Sequence, residues 1–289
     1  MKVVRGCVKM IKKVVSTVYS NKKSAVGFSI FLIFLFLAFF GGHLFPYSTA
    51  TDFANKYLPC SRQHWLGTDY MGRDIFRQLV AGCRNAVYLS VLTAAFTVAI
   101  GVTLGMISGF LGGHADRLIQ MITNITLNIP TFPILLVLST FITIKDEVTF
   151  AVILSIFSWA GLCRAVRAQV MSLKERDFIQ ICKVMNMGYG KIIFHELLPN
   201  IYSYIIVNFV MTMRSSITAS VGIMTLGLAS FNAANWGVML YQARTLGLVG
   251  SQVVGYLMKA LVTVVIFQIS TIMLANGLDE TFNPRLKRM

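Results

Sequence analysis

The sequence points to an all-α integral membrane protein with six spanning helices. Only 13% of its 289 residues are Asp, Glu, Lys or Arg, about half the share of a soluble domain. Hydrophobic residues make up 56%, and the mean hydropathy is +0.69. They gather into long uncharged runs at residues 25–46, 86–113, 118–144, 148–163, 197–213 and 260–278. A helix needs about 20 apolar residues to cross about 30 Å of hydrocarbon. All runs but the fourth reach or approach that length, and the fourth extends through Arg164 and Arg167, whose long side chains can snorkel to the headgroups.

The formal net charge of +15 would suggest a nucleic-acid partner in a soluble chain. Its placement argues for topology instead. Seven Lys/Arg precede the first run, from Lys2 to Lys23, and six lie between Arg164 and Lys191. With Arg117 and the closing Arg285, Lys287 and Arg288, alternate loops on one side carry seventeen basic residues; the other side carries six, namely Lys56, Arg62, Arg73, Arg77, Arg84 and Lys145. Positive loops stay in the cytoplasm, so a multi-pass protein of the cell membrane with both termini and the Arg164–Lys191 loop inside is expected, embedded in lipid and not bound to nucleic acid.

Each segment has its own reading. Residues 1–24 form a basic cytoplasmic leader, and 25–46 the first span. That span is too long and its leader too extended for a cleaved signal peptide. Residues 47–84 form an extracytoplasmic segment, in which Thr68 or Asp69 can start an interfacial helix with Ile75, Phe76, Leu79 and Val80 on one face. A core of five further spans covers residues 85–278. Its first span carries Gly101, Gly105, Gly109 and Gly113, four apart, a smooth stripe for close helix contact or for lining a path. "NIPTFP", residues 128–133, predicts a kink in the third span, because proline removes a backbone donor. Residues 215–255 are apolar but rich in Gly, Ser, Thr and Asn, consistent with a re-entrant turn and a short helix around Trp236. Lys259 marks the start of the sixth span, since a lysine at the bilayer centre costs about 2.5–3.5 kcal/mol. Residues 279–289 form a cytoplasmic tail. The five cysteines are scattered without metal-ligand spacing; Cys60 and Cys83 share the outer side, where pairing is open.

Several chemistries are missing. The six runs contain no Asp or Glu, so a proton-driven carrier lacks its usual relay; a sodium-coupled carrier with broken helices stays open. "GYGK" imitates a phosphate loop, but Ile192 replaces the required Ser or Thr and Met185 the required glycine. No catalytic signature is present, so the chain is not expected to be an enzyme, and no resident metal or cofactor is expected. The substrate-binding residues are not legible.

The stretch "QICKVMNMGYGKIIFHELLPN" interrupts the apolar pattern. Asp177 with Gln180 resembles a capping box. Phe178, Ile181, Cys182 and Met185 then repeat at helical spacing, and Gly188 and Gly190 end the helix. A second short helix runs to Pro199, placed in the first turn of the fifth span. This hairpin, residues 177–199, either rests on headgroups or fills a groove on a soluble partner.

The spacing from Gln180 to Pro199 resembles the cytoplasmic loop of ABC importer membrane subunits, whose pattern is Glu-Ala-Ala, then Gly, then Leu-Pro. Here those positions are Gln180, Ile181 and Cys182, then Asn186, then Leu198 and Pro199. "HWLGTDYMGRDIF" is similar to a segment of the second permease of dipeptide, oligopeptide and nickel-type importers, and "GFLGGHADRL", "NWGVML" and "FNPRLKR" resemble that family's later blocks in order. Met121 and Asn124 stand where the family usually has Arg and Asp. The resemblance implies a six-helix type I ABC importer transmembrane domain. It also implies a second homologous permease, two ATPase subunits that bind ATP and Mg, and an extracytoplasmic solute-binding protein. Phe178, Gln180, Ile181, Cys182, Met185, Asn186, Gly188 and Pro199 would then form the ATPase-coupling element. Peptides are the implied solute, with nickel or metal chelates and oligosaccharides as alternatives.

Overall fold

A computed structural model describes residues 22–142, 144, 146–229, 234–246 and 251–282. Most of the basic leader, Cys7, Lys145 and the closing "NPRLKR" block lie outside the described residues. The described chain is helical: α1 (Lys22–Leu44), α2 (Ile75–Leu111), α3 (Gly113–Asn128), α4 (Thr131–Phe141), α5 (Glu147–Lys174), α6 (Asp177–Val184), α7 (Tyr189–Thr225), α8 (Trp236–Thr245) and α9 (Ser251–Phe282). Five helices are long and apolar enough to cross a membrane, and the bent pair α3–α4 makes six if counted as one span.

The bundle is organised around α2 and α5, its most extensive helix pair. The reason lies in the glycine stripe. A Cβ added at Gly101 would stand 3.0 Å from the Trp159 carbonyl oxygen, at Gly105 2.7 Å from that of Cys163, and at Gly109 2.8 Å from that of Arg167. Each glycine thus meets the α5 backbone one turn further on, a contact that any side chain would hold apart. Gly113, the fourth of the series, meets nothing within 4 Å.

The spans run longer than the apolar pattern suggested. The expected interfacial helix is instead the start of α2, with Ile75, Leu79 and Val80 buried in the bundle. Neither Thr68 nor Asp69 caps it; Asp74 does, accepting from the Arg77 backbone N–H at 2.9 Å. The preceding motif is a folded cap. Asp69 and Arg73 form a buried ion pair at 2.7 Å, and Thr68 Oγ1 donates to the Asn55 carbonyl at 2.6 Å while accepting from Leu58 N–H. Gly72, at φ +78°, packs so tightly on the Asp52 carbonyl that no Cβ fits.

The cap is tied to the bundle. Lys259 donates to the Leu66 carbonyl at 2.7 Å, which places it against the cap two turns inside α9 and not at that helix's start. Trp236 Nε1 donates to the Leu79 carbonyl at 3.0 Å, so the short helix around Trp236 is a buried strut. Cys83 is buried and Cys60 exposed, and both are free. At the predicted kink, Ile129 and Pro130 are extended, as the residue before a proline prefers, and α3 and α4 diverge by 84°.

Replacing Gly105 by Val is expected to destabilise the fold by about 1–3 kcal/mol, because the facing atoms are backbone and cannot yield. Gly161→Ala, where a Cβ meets nothing within 4 Å, is the matched control. Thermal unfolding in detergent checks both, and equal melting temperatures would refute the backbone contact.

Candidate functional site

The segment between α5 and α7 forms a short helix and a turn at the end of the bundle opposite the cap. Its anchor is Ile179, which is fully buried in a cluster with Val166 and Val170 of α5, Phe110 of α2 and Ile192, Ile193 and Leu197 of α7. Tyr189 meets the Phe110 ring edge-on at 5.7 Å. The helix is therefore packed on the same α2–α5 pair that the glycines bring together.

The sequence pattern selected the other side of this helix. Ile181 is 58% and Met185 70% exposed, Phe178 borders them, and Val184 extends the patch at 86%. Cys182 is half-buried against the cluster. Four apolar side chains thus stand on this helix and its end with nothing among the described residues to cover them. Exposed apolar side chains grouped in this way suit a contact with a protein or a membrane surface. Ile179 escaped the sequence reading because the i, i+3, i+4, i+7 series it interrupts is the outward one.

The turn chemistry differs from the expected capping box and glycine stop. Asp177 makes no cap hydrogen bond to the helix; Arg176 is the N-cap residue. Gln180 instead reaches back, its Nε2 donating to the Lys174 carbonyl at 3.0 Å, which ties the hairpin to the end of α5. At the other end Met187 N–H donates to the Cys182 carbonyl and Asn186 N–H to the Lys183 carbonyl, both at 3.0 Å. That pair of bonds closes a helix through a left-handed residue, and the residue is Asn186 at φ +53°. Asparagine is the side chain that best tolerates this conformation after glycine. Gly188 is extended and starts α7.

Beyond Gly188 the chain is one helix, α7, including a π-helical turn at Ile192–Leu197. Leu198 N–H donates to the Ile193 carbonyl, five residues back, just ahead of Pro199, which has no N–H to continue the ladder. The hairpin's second arm is thus fused to the span. α3 is fixed to α5: Arg167 grips Asp116 with two hydrogen bonds of 2.6 Å. Asn124 accepts from Arg164 at 2.6 Å, while Met121 is exposed. No group of three or more potential metal ligands occurs among the described residues.

Comparison with known proteins finds relatives over most of the chain. The family described as "Binding-protein-dependent transport system inner membrane component" matches residues 101–288. The oligopeptide transport system permease protein OppC of Bacillus subtilis is 30% identical over 76% of this chain and 72% of its own length. The glutathione transport system permease protein GsiD of Pectobacterium atrosepticum is 31% identical over 91% and 87%. Among solved structures, a chain of the MetNI methionine ABC transporter in an inward-facing form shares the fold, with a TM-score of 0.54 and 19% identity, over 70% of this chain and 96% of that one.

At position 186, Asn186→Gly is expected to leave the hairpin intact. Asn186→Val should destabilise the turn by about 1–2 kcal/mol, the left-handed penalty for a branched residue. Limited proteolysis of the hairpin reads the difference, and equal cleavage of both variants would show that the left-handed turn is not required.

Proposed function

The chain belongs to the binding-protein-dependent transport system inner membrane components, and from that premise we propose that it is the permease subunit through which an ATP-driven importer takes up di- or oligopeptides. The observation that carries the mechanism is the outward apolar face of α6, mounted on a buried Ile179. Peptides are favoured as solute by the relatives named for oligopeptide, dipeptide and glutathione transport.

In this reading an extracytoplasmic binding protein delivers the peptide. This chain and a second, similar permease enclose the path, and each presents its hairpin to one of two ATPase subunits. ATP and Mg bind to those subunits, and hydrolysis happens there. Phe178, Ile181 and Met185 enter a groove on the ATPase; Gln180, Cys182, Asn186, Gly188 and Pro199 hold the shape that presents them. The hairpin and both termini face the cytoplasm in this reading, which the positive-loop asymmetry supports.

Force transmission follows from the packing. Because α6 shares one apolar cluster with α2, α5 and α7, a displacement of α6 moves packed side chains that cannot be compressed. The two helices that flank the hairpin, α5 and α7, swing together, and the path opens alternately to each side of the membrane.

Replacing Phe178 or Met185 by Glu is expected to reduce peptide uptake to background while the subunit still accumulates in the membrane. Affinity purification of the variant should recover less ATPase subunit. Unchanged uptake would sink the docking role of this face.

A further inference from the structure

Arg214 lies in α7 twenty-five positions past Tyr189 and eleven short of Thr225, about 16 Å from that end at 1.5 Å per residue. The apolar run read from the sequence stops at residue 213, so this arginine went unassigned. Its Nε is buried without a hydrogen-bond partner, and none of the ion pairs among the described residues involves it. Charged side chains at such depth face a water-filled cavity or find a partner of opposite charge. Among the described residues there is no such partner.

The neighbouring side chains show which way this face looks. Between Leu198 and Thr225, α7 exposes no large apolar side chain, whereas α1 exposes Phe39 and Phe40 and α9 exposes Met258 and Val262. Beyond Asn200, the exposed α7 residues are Ser215 and Thr218. Thr218 stands one turn past Arg214, and its hydroxyl accepts from Gln268 Nε2 of α9 at 3.2 Å. Lipid-facing helices of this bundle are greasy where α7 is polar.

We infer that Arg214, Thr218 and Gln268 line the solute path at mid-depth and hold the carboxylate of the passing solute. For a peptide, an identification that rests on the function proposed above, this is the C-terminal carboxylate. The chemistry is complementary. A guanidinium offers two parallel N–H donors that match the two oxygens of a carboxylate; one turn away the Thr218 hydroxyl, which donates to the Arg214 carbonyl at 3.2 Å, orients the Gln268 amide, whose second N–H adds a donor. An unpaired cation in a low-dielectric channel also raises the local concentration of anions.

The test uses the assembled transporter carrying Thr218→Cys. Membranes are treated with an anionic sulfonatoethyl or a cationic trimethylammonioethyl methanethiosulfonate, and labelling at position 218 is followed by mass spectrometry. Both reagents are expected to react, and adding Arg214→Gln should lower the anionic-to-cationic rate ratio by about tenfold. Arg214→Lys should preserve the ratio, and alanyl-alanine should slow labelling during turnover. An unchanged ratio in Arg214→Gln, or a position 218 inert to both reagents, would overturn the inference. Loss of the second permease from the purified Arg214→Gln complex would also overturn it, since the arginine would then be pairing with protein. Alanyl-alanine uptake by the unaltered transporter tests the peptide reading separately: no uptake with the ratio shift intact removes peptides as the solute and leaves the anion site standing.

Discussion

The contact of α2 with α5 through Gly101, Gly105 and Gly109 governs the rest of the bundle. In lipid there is no hydrophobic drive to press two helices together, so association depends on how closely their surfaces fit. Three glycines on one face let α2 reach the α5 carbonyls directly. Everything at the hairpin end is built on that pair: Val102, Met106 and Phe110 from α2 and Val166 and Val170 from α5 form the floor on which Ile179 and the start of α7 rest. A wider α2–α5 spacing would leave Ile179 without a complementary seat, and the outward face of α6 would lose its rigid mount.

The two ends of the molecule are stabilised by different chemistry. At the cap end, polar side chains tie the segments together: the buried Asp69–Arg73 pair, Thr68 between Asn55 and Leu58, and Lys259 on the Leu66 carbonyl. Breaking such a pair by removing one partner leaves an uncompensated charge, so this end resists local opening. At the hairpin end, branched and aromatic side chains dominate, and the polar links run from Gln180 to α5 and from Asp116 to Arg167. Apolar packing without directional bonds permits sliding of packed elements more readily than a network of aligned hydrogen bonds does.

Much of this was legible in the sequence, and the misses have physical causes. Composition and uncharged runs suffice for helical spans, because a membrane leaves the backbone almost no other choice. Glycines four apart offered a close helix contact without naming its partner, and Pro130 announced the break between α3 and α4. The ends of the spans were misjudged because tertiary contacts extend helices through polar residues: α2 begins at Ile75, where Asp74 caps it, and α7 continues past Arg214. The outward face of α6 followed from period alone. Its seat did not, since the burial of Ile179 depends on residues seventy positions away in α2. Likewise Asn186 reads as a departure from the Gly of the family pattern, and its left-handed backbone is a conformation that glycine adopts freely and asparagine tolerates.

The π-helical turn at Ile192–Leu197 has a consequence for angular phase. An α-helix advances about 100° per residue, and a π turn accommodates one residue more than the α pitch would. Everything beyond it on α7 is therefore rotated by roughly one residue's worth of azimuth relative to α6. With a regular α pitch through Ile192–Leu197, Ser215 and Thr218 would point elsewhere while the hairpin stayed in its seat. The wide turn thus serves as the dial that sets which stripe of a long helix looks inward when the elbow below it is held fast.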